Sequence, residues 1–432
     1  RLLVTRSRPL LRQMIAITGS GVICTVAIII LIKTLDSGIM VMHIGGWEAP
    51  SGIPLVIDLF SAIMLVVSSL VTLCITLYSI SGIDRQRQAA HYYFFVFTLL
   101  MGINGAFISS DIFNLFVWFE VMLLSSFVLL ALGNTKRQLE NTVKYITINL
   151  VSSFLLLAGI GLLYAQTGTL NLAELSKIIA AQADHPFITN IILVLFLALA
   201  IKAALFPFFF WLPAAYYSPP VAISALFSAS LTKVAVYALI RFFTLFYNEL
   251  DAYWTTVLLT TAGFTMLIGV LAAASQMDIR KILSFHIISQ IGYMIMGLGI
   301  FTPLALAGSI YFIIHNIFAK SNVFLIGGII KNLTGSFHLK QTGGLLNQNP
   351  FLAVLFLIPA LTLAGVPPTS GFFGKFILIK AAFETEQYII AVISILVSFF
   401  TLYSMLKIWN LTFWTGEPAK KVERRPRPMQ LI

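Results

Sequence analysis

About twelve apolar stretches, each long enough to cross a lipid bilayer, run through this sequence of 432 residues. A transmembrane helix needs roughly 20 mostly apolar residues. The composition agrees, since 59% of the residues are hydrophobic and only 10% are charged, whereas soluble domains carry about 25% charged residues. We therefore expect an all-α, polytopic membrane protein. The predicted spans are 12–33, 57–82, 91–109, 112–132, 143–165, 188–217, 221–245, 253–275, 281–300, 303–331, 350–383 and 387–411.

The net charge is +11, and the basic residues lie in short clusters between these stretches. Because no continuous basic face can form, the charge does not indicate nucleic-acid binding. Lys and Arg concentrate in every second loop, as at Lys136 and Arg137, so the positive-inside rule assigns those loops and both ends to the cytoplasm.

The outer loop 166–187 is predicted to form a short interfacial helix. The two cysteines, Cys24 and Cys74, lie inside apolar stretches and predict neither a disulfide framework nor a metal site.

Two of the spans, 188–217 and 350–383, are too long for one straight crossing and contain helix-breaking residues. Proline removes a backbone donor, which a membrane helix tolerates only where the gap faces protein or a water-filled cavity. The breaks lie just after Lys202 and just before Lys375. The residues that interrupt the helices are Pro207 and Pro213 in the first, and Gly365, Pro367, Pro368, Gly371 and Gly374 in the second.

The broken spans are sixth and eleventh in order, which predicts two tandem five-helix repeats. Since five is odd, the repeats should be inverted, and paired broken helices in inverted halves indicate a transport site. Simple proline kinks in a packed bundle are the alternative. The predicted organisation is N-terminal flanking helices in 1–90, a first repeat in 91–245, a second in 253–411 and a cytoplasmic tail in 412–432.

Several ionisable residues fall well inside the spans, where charge is costly and usually functional. Burial favours the neutral form of an amine, and a nearby carboxylate favours its charged form. Moving a carboxylate would thus change whether a lysine keeps its proton. Salt bridges that only hold the bundle together are the alternative, and each histidine could equally be a core residue. The candidates for proton transfer are Glu120, Lys202, Lys233, Lys320, Lys375, His286 and His315.

Other polar residues have simpler interpretations. Hydroxyl groups around Lys233, including Ser228, could carry protons or could merely allow close helix packing. Arg241 and Lys407 lie near predicted helix ends, where long side chains reach the interface. Asp58 opens a span, where a carboxylate favours the helix N-terminus. No phosphate-binding loop, haem-ligand pattern or cysteine cluster occurs, so no cofactor or metal is predicted.

Five segments together resemble the antiporter-like subunits shared by Mrp cation/proton antiporters and respiratory complex I, over roughly residues 57–411. These segments are SDIFNLFVWFEVMLLSSF, LALAIKAALFPFFFWLPAAY, PPVAISALFSASLTKVAVYALIR, MDIRKILSFHIISQIGYM and AGVPPTSGFFGKF. The runs DIFNLFVWFE and TGTLNLAELS, together with Lys375, are most similar to the Mrp Na⁺/H⁺ antiporter branch of this family.

The resemblance implies roles for the charged residues. Glu120 would pair with Lys202, Lys233 would be the central lysine, and Lys375 would connect the relay to one side of the membrane. His315 and Lys320 would be polar residues on the preceding helix. The family usually has fourteen helices, which implies one more helix on each side of this sequence.

Many relatives carry a histidine at the position of Ser228. Here, the proton would have to move through a hydroxyl group or water. The resemblance thus supports a relay at this position but not an unbroken chain of side chains that titrate.

The function that this resemblance implies is proton translocation within a multisubunit monovalent cation (Na⁺)/proton antiporter of the bacterial inner membrane. The partners would be the A, B, C, E, F and G subunits of the Mrp antiporter, and the transported ions H⁺ and Na⁺. The chain would be a secondary transporter subunit and not an enzyme. Two alternatives remain: a pumping subunit of complex I or of a membrane hydrogenase, which would be part of a translocase, and a non-transporting scaffold.

Overall fold

The computed structural model describes residues 9–47, 52–181 and 186–415. Within these ranges, 10 helices are long and apolar enough to cross a membrane, and Tyr92–Ile108 and Pro350–Ala364 are shorter apolar helices. This confirms the predicted all-α class of a multi-pass membrane protein. Most of the predicted cytoplasmic tail, from residue 416 onward, lies outside the described residues.

The first ten helices of the described residues run from Pro9 to Phe246. Those that correspond to predicted spans agree with them to within seven residues, whereas the short helix Arg85–Ala89 was not predicted. The short helix predicted within 166–187 is Leu172–Ala181. The helices are α1 (Pro9–Ser37), α2 (Leu59–Gly82), α3 (Arg85–Ala89), α4 (Tyr92–Ile108), α5 (Ile112–Ala131), α6 (Lys136–Thr167), α7 (Leu172–Ala181), α8 (Pro186–Ala203), α9 (Trp211–Tyr217) and α10 (Val221–Phe246).

Seven further helices follow. They are α11 (Ala252–Ser275), α12 (Ile279–Ile300), α13 (Pro303–Thr334), α14 (Leu345–Gln348), α15 (Pro350–Ala364), α16 (Ser370–Glu384) and α17 (Tyr388–Trp409). The largest boundary difference is in α6, which begins at Lys136 and not at the predicted residue 143. The cause is an N-cap, since the Thr135 side chain accepts a hydrogen bond from the Gln138 backbone N–H and so supports two polar turns that precede the apolar stretch.

Two short strands lie almost entirely within the segment 34–56, which was predicted to be a loop. Strand β1 (Met40–His43) pairs antiparallel with β2 (Pro54–Ile57). Leu55 of β2 also forms a bridge with Ser109, just after α4. Four-residue strands are too short to give a clear alternating pattern, so the sequence did not reveal them.

The chain divides into two compact units. The first unit comprises the residues up to Thr76, Arg85–Ala204 and Ser230–Leu250, and the second comprises Leu77–Asp84, Leu205–Ala229 and the residues from Asp251 onward. Helices α2 and α10 contribute segments to both units. The predicted boundaries of the two repeats, 91–245 and 253–411, stay a prediction.

The same local architecture occurs in each unit at a constant spacing. In the first unit α6 has 32 residues, a Thr135 N-cap and a left-handed Gly168 at its C-terminus. In the second unit α13 also has 32 residues, a Thr302 N-cap and a left-handed Gly335. From Thr135 to Thr302, and from Gly168 to Gly335, the spacing is 167 residues.

Backbone hydrogen bonds repeat at this spacing too. In the first unit Leu172 N donates to Ser110 O and Ile112 N to Leu170 O; in the second unit Leu339 N donates to Met277 O and Ile279 N to Phe337 O. Positions that are 167 residues apart are called counterparts below.

Candidate functional site

The first broken helix is interrupted between Ala203, the last residue of α8, and Trp211, the first of α9. Ala204 adopts a left-handed conformation with φ 57°, and Pro207 lies between the two helices. Pro213 differs from the prediction, because it lies inside α9 and not in the gap. Lys202 is therefore in the last turn of α8, where the exposed ends of the helix carbonyls favour a cation.

Lys202 lies beside a serine and a glutamate from two neighbouring helices. The Lys202 ammonium Nζ donates a hydrogen bond to Ser153 Oγ of α6 at 2.9 Å. Ser153 Oγ in turn donates to Glu120 Oε1 of α5 at 2.5 Å. The direct distance between Lys202 Nζ and Glu120 Oε1 is 3.9 Å. A hydroxyl group thus bridges the ion pair, and the three side chains form what we call the first-unit triad.

The two charged members of the triad differ in burial. The Lys202 side chain is 2% exposed and the Glu120 side chain 29%. The prediction that Glu120 is buried is therefore only partly right, because its carboxylate reaches toward the outward face of α5. That face is otherwise apolar around it, with Val117 40% exposed and Leu124 62% exposed.

The second broken helix is interrupted between Ala364, the last residue of α15, and Ser370, the first of α16. Gly365 has φ 84°, and Pro367 and Pro368 follow it. A Cβ atom on Gly365 would lie 2.8 Å from Lys375 Cδ. Glycine is therefore required here both for the left-handed backbone and for the passage of the lysine stem.

Lys375 lies six residues into α16 but reaches back to the end of α15. Its Nζ donates to Leu363 O at 3.2 Å and to Ala364 O at 2.9 Å, and it lies 4.9 Å from the ring centre of Tyr293. The carbonyls at this helix end have lost their helical donors. Lys375 thus serves the C-terminus of α15, whereas Lys202 belongs to the corresponding last turn of α8.

Two histidines and a lysine lie in the second unit close to Lys375. His286 and Lys320 are 0% exposed, and His286 is within electrostatic range of Lys320 and Lys375. Among the described residues neither ring nitrogen of His286 has a hydrogen-bond partner. His315 Nδ1 lies 3.1 Å from Ser370 Oγ at the start of α16. A mostly apolar cavity of about 370 Å³ opens beside His315 and Ser370.

Among the residues that the structure describes, the second unit has no carboxylate that matches Glu120. The counterpart of Glu120 is Ile287, and the counterpart of Ser153 is Lys320. The described carboxylates of this unit lie in loops or at helix ends: Asp84, Asp251, Asp278, Glu384 and Glu386.

Helix α10 carries the last two predicted relay residues. Lys233 and Ser228 are both 0% exposed, and Ser228 Oγ donates to Ala225 O of its own helix at 2.9 Å. Thr232 Oγ1, beside Lys233, has no hydrogen-bond partner among the described residues.

Within the described ranges, no group of three or more His, Cys, Asp or Glu side chains could hold a metal ion.

Sequence reasoning missed Ser153, because a serine in an apolar stretch looks like a small packing residue. It also treated Arg241 and Asp58 as separate interfacial charges. Instead, Arg241 of α10 forms a salt bridge with Asp58 at the start of α2 and donates to Tyr237 Oη at 3.0 Å. Burial raises the pKa of the Asp58 carboxyl, but the hydrogen bond and charge of Arg241, together with hydrogen bonds from Ser61, hold the pKa below its usual range. The available signal was that both residues adjoin loops without Lys or Arg, the segments 34–56 and 246–252.

Known proteins resemble this chain over most of its length. The family model for the transmembrane subunits of NADH:quinone oxidoreductase and Mrp antiporters matches residues 109–401. The D subunit of a Na⁺/H⁺ antiporter of Alkalihalophilus pseudofirmus is 47% identical over 400 residues, covering 92% of this chain and 81% of the relative. The D subunit of a Na⁺/H⁺ antiporter of Bacillus subtilis is 39% identical over 417 residues, covering 96% and 85%.

Among solved structures, a chain of the Mrp complex from Dietzia sp. superposes with a TM-score of 0.91 at 35% identity. The match covers 96% of this chain and 78% of that one. The family model spans more than half of the sequence, and the relatives agree over nearly its full length. The chain therefore belongs to the NADH:quinone oxidoreductase/Mrp antiporter transmembrane family.

Proposed function

We propose that this chain is the proton-translocating subunit of a multisubunit monovalent cation (Na⁺)/proton antiporter, and that Glu120, Ser153 and Lys202 form its first relay. The observation that carries the proposal is the hydroxyl-bridged pair, in which Lys202 Nζ and Glu120 Oε1 are 3.9 Å apart with Ser153 Oγ bonded to both. Its relatives named as Na⁺/H⁺ antiporter subunits support the choice of transported ions.

The triad can switch the charge of Lys202. While the carboxylate of Glu120 is near, it stabilises the ammonium in its desolvated site. When the carboxylate moves away, the buried ammonium is left unpaired, which is costly enough to favour release of its proton. Ser153 can take part directly, because its hydroxyl accepts from Lys202 and donates to Glu120. A proton can therefore enter one side of the hydroxyl as another leaves from the other side.

The released proton would continue through Lys233 and on to the second unit, with Ser228 or water as the step where relatives carry a histidine. Lys320, His286 and His315 would pass it on, and Lys375 would exchange it with one side of the membrane. The supporting observations are that Lys233, Lys320 and His286 are fully buried and that His315 contacts Ser370 beside the break.

The partial exposure of Glu120 supports assembly with other subunits. A carboxylate on an outward, otherwise apolar helix face would be costly against lipid. We infer that another subunit covers this face of α5 in the complex. The partners would be the A, B, C, E, F and G subunits of the Mrp antiporter in the bacterial inner membrane. The proposed five-helix repeats, 91–245 and 253–411, would be inverted relative to each other.

The proposal can be tested in everted vesicles that contain the whole complex. A pH gradient is formed, Na⁺ is added, and the dissipation of the gradient is measured by a fluorescent pH probe. Wild-type complex should respond to Na⁺, whereas Glu120→Gln and Lys233→Ala should lose at least about 90% of the response, as is typical when a group needed for proton transfer is removed. Complexes must be shown to assemble to equal levels. A wild-type gradient that responds to no monovalent cation would overturn the antiporter assignment, and intact transport in Glu120→Gln would favour a scaffold.

A pumping subunit of complex I or of a membrane hydrogenase is the second candidate, since the matching family model is named for NADH:quinone oxidoreductase as well as for the Mrp antiporter. The same relay residues would serve it. Purification of the native complex separates the two, because quinone-binding and iron–sulfur subunits would accompany a redox-driven pump. Mrp subunits alone would accompany an antiporter.

A further inference from the structure

The interface between α12 and α13 is close-packed in the half that adjoins the turn joining the two helices. The rings of Tyr293 and Phe312 are in contact, with centres 5.2 Å apart. Ser309 Oγ donates to Met294 O at 2.6 Å, and a Cβ on Gly297 would collide with that same hydroxyl. Polar and apolar groups alike are thus in contact with partners here.

The other half of this interface is polar and fully buried. Side chains that recur every three or four residues lie on one face of a helix, so the faces that carry Tyr293 and Phe312 continue through four polar residues. The helices run antiparallel, which brings these residues into the same segment of the interface, about 6–16 Å beyond the bond between Ser309 and Met294 at 1.5 Å per residue. Each of them is 0% exposed. The four, which we call the α12–α13 polar cluster, are His286, Gln290, Asn316 and Lys320.

Much of the hydrogen-bonding capacity of this cluster is unmet. Among the described residues, no hydrogen bond reaches the ring nitrogens of His286 or the side-chain amides of Gln290 and Asn316. A buried polar group without a partner costs free energy, and native proteins rarely leave several such groups together. The cluster therefore has the unsatisfied donors and acceptors that a bound ion would use.

The electrostatic environment determines the sign of that ion. The charges that act on His286 come from Lys320, Lys375 and Lys407, whereas the described carboxylates of this unit lie in loops or at helix ends. A positive field of this kind repels Na⁺ and attracts an anion. The two amides and the imidazole can each offer an N–H donor to an anion.

In the first unit the same positions are apolar or satisfied, and a carboxylate is present. Glu120 supplies the negative charge there, whereas its counterpart is Ile287. Asn149 Nδ2 donates to Tyr145 O at 2.9 Å, whereas the amide of its counterpart Asn316 has no partner among the described residues. The second unit thus has unmet donors in place of a fixed negative charge. The residues at the positions of His286 and Gln290 are Phe119 and Leu123.

We propose that the α12–α13 polar cluster binds a small monovalent anion of the chloride type. The amide N–H groups of Gln290 and Asn316 and a ring N–H of His286 donate to it, and the ammonium of Lys320 balances its charge. The bound anion replaces, in an exchangeable form, the carboxylate that Glu120 provides in the first unit. The site goes beyond the proposed function, because anion binding does not depend on which cation the complex transports.

Equilibrium binding tests the site directly. Purified assembled complex in gluconate is titrated with radioactive chloride at constant ionic strength, and the chloride bound by each variant is compared with that of the wild type. Gln290→Leu and Asn316→Leu should each weaken binding at least tenfold, because a hydrogen bond to a charged group contributes at least that factor. Asn149→Leu, at the first-unit counterpart of Asn316, is the matched control and should bind chloride like the wild type.

Asn316→Asp distinguishes an anion from water. The new carboxylate would balance Lys320 from within the chain, so this variant should bind no chloride at the cluster and should unfold at the same temperature in chloride and in gluconate. The wild type should unfold at least about 2 °C higher in saturating chloride, since an ion that binds the folded state stabilises it. Equal wild-type stability in the two salts, or chloride binding that survives in both leucine variants, would overturn the proposal and leave water as the occupant.

Discussion

The two units place a buried lysine at a broken helix but stabilise its charge in different ways. In the first unit Lys202 has a serine and a carboxylate within reach. In the second unit the hydrogen-bond acceptors of Lys375, among the described residues, are two backbone carbonyls, those of Leu363 and Ala364. Lys202 therefore lies beside side chains of two other helices, including a carboxylate, whereas the charge of Lys375 is stabilised by the backbone of a helix end.

A carboxylate and a helix C-terminus stabilise a lysine ammonium to different extents. Opposite unit charges 4 Å apart attract by about 4 kcal/mol at an effective dielectric constant near 20. A helix C-terminus stabilises a cation by about 0.3–2 kcal/mol. The carboxylate of Glu120 can therefore change the proton affinity of Lys202 by more than the end of α15 can change that of Lys375. We expect the first unit to act as the switch and the second as the acceptor.

The largest effect should follow from Lys202→Arg. The guanidinium keeps the positive charge and hydrogen-bond donors but does not release a proton in proteins. Na⁺-driven proton movement in everted vesicles should fall about 100-fold, within the range found for removal of a general acid or base. The rate for Lys202→Met should fall by the same factor. If Lys202→Arg transports at half the wild-type rate or better, the lysine is only a structural cation.

A carboxylate added to the second unit should remove the difference between the units. Ile287 is the counterpart of Glu120, and Lys320 is the counterpart of Ser153. We expect Ile287→Glu to hold Lys320 in its charged form and to slow transport about tenfold, since about 1.4 kcal/mol of added stabilisation corresponds to that factor. Ile287→Gln is the control of equal size. Identical rates for the two variants would mean that charge control does not operate there.

The Asp58–Arg241 salt bridge should affect stability more than transport. Asp58→Asn leaves Arg241 half-buried without its counter-ion, which should cost about 1–3 kcal/mol, while transport per assembled complex stays within twofold. Because the pKa of Asp58 is lowered in the folded chain, its contribution is complete above the unfolded value of about 3.9. It is lost as the pH falls through the lowered pKa.

Thermal unfolding of the purified complex between pH 3 and pH 7 provides the measurement for this pair. The wild type should lose more stability on acidification than Asp58→Asn. Parallel curves for the two proteins would show that the salt bridge carries no net stabilisation.

The smallest effect should follow from Lys380→Met. Lys380 lies on α16, five residues after Lys375, and pairs with Glu384 at 3.7 Å, with both side chains 54% exposed. Exposed pairs of this kind contribute about 0–1 kcal/mol. Transport and complex yield should both match the wild type, which makes this variant the control for all lysine substitutions. A tenfold loss of transport would mean that the relay extends along α16 beyond Lys375.

Much of the fold could be predicted because the bilayer imposes a simple length and polarity rule. The spans 57–82 and 221–245, for example, agree with α2 and α10 within two residues. The two breaks were visible because Pro and Gly interrupt apolar stretches that are too long for one helix. The spacing of 167 residues, at which Asp278 and Thr302 follow Asp111 and Thr135, was not predicted, because hydropathy locates spans but not the capping residues at their ends.

The side-chain geometry of the site was harder to predict. Hydropathy indicates that Lys202 is inside the membrane, but it cannot give the neighbours of Lys202, because those depend on how helices far apart in sequence pack together. Serines such as Ser153 stabilise helix packing far more often than they bridge an ion pair. The buried Asn149 of α6 was hidden for a related reason, since in the sequence it lies between Ile148 and Leu150.

The hydroxyl bridge between Glu120 and Lys202 can be tested most directly by comparing Ser153→Ala with Ser153→Thr. The measurement is the initial rate of Na⁺-driven proton movement in everted vesicles, normalised to assembled complex. The account predicts that Ser153→Ala loses about 90% of the rate, as when one hydrogen bond to a charged group, worth about 1.5–3 kcal/mol, is removed. Ser153→Thr, which keeps the hydroxyl, should retain at least half. A wild-type rate in assembled Ser153→Ala would contradict the claim that this triad carries the proton.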